Sequence, residues 1–135
     1  MSDITVRQIM RTIISIDSKA KAKDAARLMV DKGIGSLVAN REGLPFGIIT
    51  ERDMMQKIVA QGLDPSKTTV AEIMTVPLAT IDASASLFDA ARKMVEKQTK
   101  RLVVTEHDQI IGIVSQTDLV GHMTDFQKLA KMGLT

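Results

Sequence analysis

Sliding the chain against itself by 65 positions aligns residues 16–55 with 81–120, and fifteen of the forty pairs are identical, where roughly two or three would be expected from average composition. Earlier, Val6, Ile9 and Met10 match Val70, Ile73 and Met74 at an offset of 64, so one residue is gained between Met74 and Ile81. The chain is thus one unit used twice, with repeats over 1–65 and 66–135. A unit this short buries too little apolar surface alone. The two copies are therefore expected to pack into one module with approximate two-fold symmetry.

Each copy changes its hydrophobic period at the same places. Ala22, Ala25, Ala26, Met29 and Val30, and again Leu87, Ala90, Ala91, Met94 and Val95, recur at helical spacing, with Asp24 and Asp89 near the helix starts where the macrodipole favours an acid. Ser36 to Asn40 and Arg101 to Thr105 are short β-branched or aliphatic runs, followed by the turn-like REGLP and EHDQ and then by FGIIT and IIGIVS. Each reads as two strands and a turn. Helical spacing returns over Glu51 to Gln61 and from Gln116 to about Met132, while QGLDPSK at 61–67 is a linker. With a strand near Ile14–Asp17 or Ala79–Asp82 in front, each repeat reads β-α-β-β-α. The fold class expected is mixed α/β, of the α+β kind. Met29, Met54, Met55 and Met94 are expected to fill gaps in the core.

Composition removes several classes of function. There is no cysteine, which excludes disulfides, thiolate nucleophiles and zinc sites with sulfur ligands. His107 and His122 are isolated from any second ligand at metal spacing, so no metal site is expected and both read as surface residues. No nucleophile paired with a base and no P-loop is present, so no catalytic residue is assigned. The net charge of +2, with three Phe and no Trp or Tyr, does not suit nucleic-acid binding. Lys19, Lys21 and Lys23 read as the solvated start of a helix. Apolar runs are far shorter than a bilayer span, and MSDITVRQIM lacks an apolar signal-peptide core; a cytoplasmic protein without membrane contact is the simplest expectation.

The chemistry worth pursuing lies in GIITERD at 47–53 and GIVSQTD at 112–118. Glycine permits close approach to the backbone, or marks a bulge. Thr50 or Ser115 then stands at the strand-to-helix junction, with Asp53 or Asp118 one turn on. A cap and a dipole acid account for both residues. A second account is also open: a helix start flanked by a hydroxyl offers donors to a phosphate, and a carboxylate one turn further can accept from the cis-diol of a ribose.

The chain resembles a tandem CBS-domain pair, the Bateman module. The resemblance runs from Val6 to Val120 and rests on VRQIM and VAEIM, on DAARLMV and DAARKMV, on KRLVV, and on the two heptapeptides. It implies that Thr50 with Asp53, and Ser115 with Asp118, contact the phosphate and ribose of adenosine-containing ligands in two clefts between the repeats. It also implies that each cleft is completed by the segment after the opposite I-M pair. That segment runs from Thr12 to Ser15 beside Ser115 and Asp118, and from Thr75 to Thr80 beside Thr50 and Asp53. A basic residue that contacts phosphate in the family has its counterpart here in Lys100 and Arg101. Gly35 and Ser36 occupy those positions in the first repeat, so the two sites are expected to differ, with Arg52 as a local substitute. Ile48 and Ile113 would hold the adenine.

The function implied is regulatory: a non-enzymatic module sensing AMP, ADP or ATP, requiring no resident cofactor, and signalling by a change of conformation or association. The partners implied are a second copy in a homodimer and an effector protein, with Phe126, Leu129, Ala130 and Met132 of the tail as a contact or a cover for the core. Two alternatives stand beside it: a structural adaptor with vestigial clefts, and a binder of S-adenosylmethionine or NAD.

Overall fold

The computed structural model describes residues 4–122; the tail residues from Phe126 to Met132 lie outside them. A short helix, α1 (Val6–Ile9), precedes β1 (Ser15–Asp17), α2 (Ala22–Lys32), β2 (Ser36–Arg41), β3 (Leu44–Thr50) and α3 (Glu51–Asp53), which runs on into π-helical turns over Met54–Val59. The same order returns as α4 (Val70–Ile73), β4 (Thr80–Asp82), α5 (Leu87–Lys97), β5 (Arg101–Glu106), β6 (Gln109–Ser115) and helical residues 116–122. The mixed α/β class and the β-α-β-β-α order of each repeat are as read from the sequence. No helix among the described residues is long and apolar enough to cross a membrane.

Each copy forms a three-stranded sheet, β1-β2-β3 or β4-β5-β6. The first pair in each is parallel, joined through a helix, and the second is an antiparallel hairpin. The hairpin turns place Glu42 and Gly43, or His107 and Asp108, at positive φ, the two-residue geometry whose twist matches that of the flanking strands. Both hairpins then shift register. Gly47 faces Ala39 while Pro45 faces Asn40, and Gly112 faces Val104 while Ile110 faces Thr105. Phe46 and Ile111 are thus the extra residues of two bulges, each next to a motif glycine.

Helix starts are held reciprocally. Ser86 Oγ accepts from Asp89 N at 3.1 Å while Asp89 Oδ2 accepts from Ser86 N at 3.2 Å, and Asp24 Oδ2 accepts from Lys21 N at 3.3 Å. The acids read as dipole partners are therefore also caps. Lys19, Lys21 and Lys23 are exposed around the start of α2.

Two apolar expectations need correction. Val30 and Val95 are 79% and 78% exposed; at about 100° per residue each lies roughly 80° round from the first residue of its helix, beyond the buried arc. Met29 and Met94 do fill the core, and Met54 packs against it, but Met55 is 62% exposed. Met55 lies about 200° round the helix from buried Asp53 and so faces outward, and the pairing widens there, with Ala60 N donating to Met55 O.

The C-caps of α2 and α5 are both left-handed, with Gly33 at φ 64° and Gln98 at φ 53°. Only glycine adopts this conformation without a Cβ penalty. Gln98→Gly is expected to stabilise the protein by about 0.5–1 kcal/mol after the added freedom of the unfolded chain is counted, measured as a rise in thermal midpoint.

Packing divides the chain differently from its periodicity. Residues 13–78 form one unit, and the N-terminal segment through Thr12 joins residues from Ala79 onward in the other. The reason is apolar burial. Val6 and Ile9 of α1 are buried with Ile81, Leu87, Leu102, Val104 and Val114, whereas Val70 and Ile73 of α4 are buried with Ala25, Met29, Leu37 and Ile49. Each short I-M helix thus closes the core of the sheet contributed by the other repeat.

Candidate functional site

In the unit of residues 13–78, β3 ends at Thr50 and α3 begins. Thr50 Oγ1 accepts from Asp53 N at 3.3 Å, and Asp53 Oδ2 accepts from Thr50 N at 2.9 Å and from Thr50 Oγ1 at 3.1 Å. The other carboxylate oxygen, Oδ1, accepts from Thr75 Oγ1 at 2.9 Å and faces Lys57 Nζ at 3.0 Å. Lys57 also donates to Ile73 O at 2.9 Å. Asp53 is 5% exposed and satisfied on both oxygens.

The other unit repeats the cap and changes what holds Oδ1. Ser115 Oγ accepts from Asp118 N at 3.1 Å, and Asp118 Oδ2 accepts from Ser115 N and Oγ, each at 2.9 Å. Its Oδ1 accepts from Arg11 Nε at 2.7 Å. The Asp118 side chain is 7% exposed, whereas that of Arg11 is 74% exposed. Burial pushes the Asp118 carboxyl up, but the Ser115 N–H, the Arg11 guanidinium and the Ser115 hydroxyl together hold it below its ordinary value.

The glycines explain how these groups meet. Ile48 and Thr75 exchange backbone bonds at 3.0 and 2.7 Å, and Ile113 and Arg11 exchange theirs at 3.0 and 2.8 Å, so the residue after each I-M pair adds to the edge of the motif strand. A Cβ on Gly47 would lie 2.8 Å from Val76 Cγ1 and 3.0 Å from Thr75 O, and one on Gly112 would lie 2.6 Å from Met10 Sδ and 3.1 Å from Arg11 O. Close backbone approach is therefore what the motif glycine allows, beside the bulge that was the other reading.

Of the residues assigned from sequence, the structure brings Thr50, Asp53 and Thr75 together by hydrogen bonds, and likewise Ser115 and Asp118. Ile48 and Ile113 are half-buried, with backbone groups committed to Thr75 and Arg11. Arg101 stands opposite Ser115 in the β5–β6 register, and Lys100 O accepts from Gln116 N at 2.8 Å. Ser36 occupies the equivalent place opposite Thr50. Ser15 pairs with Val38 in β1, and Thr80 pairs with Val103 in β4. Thr12 follows Arg11 and makes no side-chain hydrogen bond to Ser115 or Asp118. Sequence reasoning missed Arg11 and Lys57. Arg11 aligns with Thr75 at the offset of 64, and Lys57 is four residues after Asp53, the spacing that sets two side chains on one helix face. No group of three or more His, Cys, Asp or Glu that could hold a metal ion occurs among the described residues.

Comparison with known proteins agrees with this architecture. The family model described as CBS domain matches twice, over residues 6–60 and 70–125. An uncharacterised protein of Methanopyrus kandleri is 34% identical over 89% of this chain, which spans 63% of that relative's length, less than two-thirds. YhcV, a CBS domain-containing protein of Bacillus subtilis, is 30% identical over 85% of this chain and 82% of its own. Among solved structures, a protein with CBS domains from Burkholderia ambifaria is 34% identical, with a TM-score of 0.84 over 89% of this chain and 93% of that one.

Proposed function

This chain belongs to the CBS-domain family of regulatory modules and carries the domain twice, and from that premise we propose that it senses adenosine-containing nucleotides. The observation that carries this reading is the corner around Ser115. A helix start, a hydroxyl and a buried carboxylate stand together there, with Arg101 across the strand pair, Lys100 one residue before it, and the half-buried Ile113 alongside. Ribose hydroxyls suit the carboxylate, phosphate suits the basic groups, and adenine suits the aliphatic surface. The corner at Thr50 offers Ser36 where Arg101 stands, with Arg52 exposed within its motif. It is the weaker site for a charged nucleotide.

The module acts by binding rather than catalysis, and its occupancy is passed on through association, with a second copy of the chain or with an effector protein. Thermal unfolding with millimolar AMP, ADP, ATP, S-adenosylmethionine or NAD tests the reading. An adenine nucleotide at 100 times its Kd is expected to add about 2.7 kcal/mol. If none of the five compounds raises the midpoint, the chain is a structural adaptor. That second reading has a specific observation in its favour: both carboxylate oxygens of Asp53, and both of Asp118, are already bonded within the fold.

A further inference from the structure

The two corners of this duplicated chain are not chemically duplicated. Asp53 Oδ1 is held by a threonine hydroxyl from the segment after the second I-M pair, and by a lysine that a backbone carbonyl also ties down. Asp118 Oδ1 is held by Arg11, the residue aligned with that threonine. The Arg11 backbone is fixed by its two bonds to Ile113, while its side chain is 74% exposed. The guanidinium can therefore leave the carboxylate without moving the chain or emptying a packed site, because water solvates it at once, while the buried Asp118 Oδ1 it leaves needs another donor, which a ribose hydroxyl supplies. Lys57 has no such freedom, because leaving Asp53 would also break its bond to Ile73 O.

We propose that Arg11 determines the specificity of the Ser115–Asp118 corner for phosphorylated nucleosides. It occupies Asp118 Oδ1 until a ribose diol takes that oxygen, and then pairs with the phosphate. Arginine suits both positions, since its planar donors match carboxylate and phosphate alike. An uncharged nucleoside must displace the same guanidinium and offers it nothing in return. The corner is thereby biased against adenosine as well as toward AMP, a bias the corner at Asp53 cannot share. This assignment rests on the nucleotide reading above.

Calorimetric titration of the full chain with AMP and with adenosine tests it. Wild type is expected to prefer AMP by about tenfold or more. In Arg11→Ala, AMP affinity is expected to fall about tenfold while adenosine affinity stays level or rises, since Asp118 Oδ1 is already vacant. Arg11→Gln keeps a donor for Asp118 without a charge for phosphate; it is expected to show the same reduced preference with the packing retained. Arg27→Ala, at an exposed arginine of α2 outside both corners, should leave the preference as in wild type. If both arginine variants still bind both compounds with the wild-type preference, the Arg11 assignment is overturned and the nucleotide reading stands. If wild type binds neither compound, the Arg11 assignment is overturned, and the nucleotide reading falls with it when ADP and ATP fail to bind as well.

Discussion

Asp53→Ala is expected to lower the unfolding free energy by about 3 kcal/mol, against about 1.5 kcal/mol for Asp118→Ala. The two residues occupy the same motif position and close the same reciprocal cap, so the difference comes from Oδ1. Removing the Asp53 carboxylate takes the acceptor from Thr75 Oγ1 and leaves the less exposed Lys57 ammonium with only the Ile73 carbonyl. Removing Asp118 releases Arg11, which is mostly in water already. Urea denaturation of the two variants measures the gap, and AMP titration of the same samples separates fold from function. Asp118→Ala should lose AMP affinity by more than its stability loss accounts for. Equal destabilisation by the two variants would show that the Oδ1 partners contribute nothing beyond the cap.

Gly47→Ala should destabilise by about 3 kcal/mol and Gly112→Ala by about 1.5 kcal/mol. Neither glycine has an unusual φ, so backbone freedom plays no part. The penalty is steric. At Gly47 the added methyl meets Val76 Cγ1 at 2.8 Å and Thr75 O at 3.0 Å, a branched side chain with restricted rotamers and a carbonyl whose residue is paired to Ile48. At Gly112 the nearest atoms are the Sδ and Cγ of Met10, an unbranched chain that can swing aside. Only the Arg11 carbonyl then has to give. Thermal or urea unfolding of both variants checks the order. A Gly112 variant as damaged as the Gly47 variant would mean that Met10 is not free to move.

Much of this architecture was legible because the determinants are local. Helix period, turn residues and β-branched runs placed the two long helices and the four hairpin strands to within a residue or two, and the S/T-x-x-D pattern announced both caps. The residues that hold each corner shut were less accessible. Thr75 follows from a family resemblance, and the segment that the resemblance implies before β1 begins at Thr12, one residue after the arginine that bonds Asp118. Nothing local to Arg11 says that its backbone will join the edge of a strand a hundred residues away; that follows from α1 burying Val6 and Ile9 in the core around β5. Lys57 was visible in principle through its i, i+4 spacing from Asp53. Its tie to the Ile73 carbonyl depends on where α4 packs, which no short pattern encodes.

The exchanged position of α1 bears on the order in which the molecule is made. Residues 13–78 are contiguous, so that half can complete its core while the remainder is still being synthesised. The other half needs a helix made before residues 13–78 and side chains, from Ile81 to Leu119, made after them. Its contact order is accordingly the higher and its closure the later event. Arg11 rides on the segment before residues 13–78, so its bond to Asp118 can form only after the whole of the other half has been made.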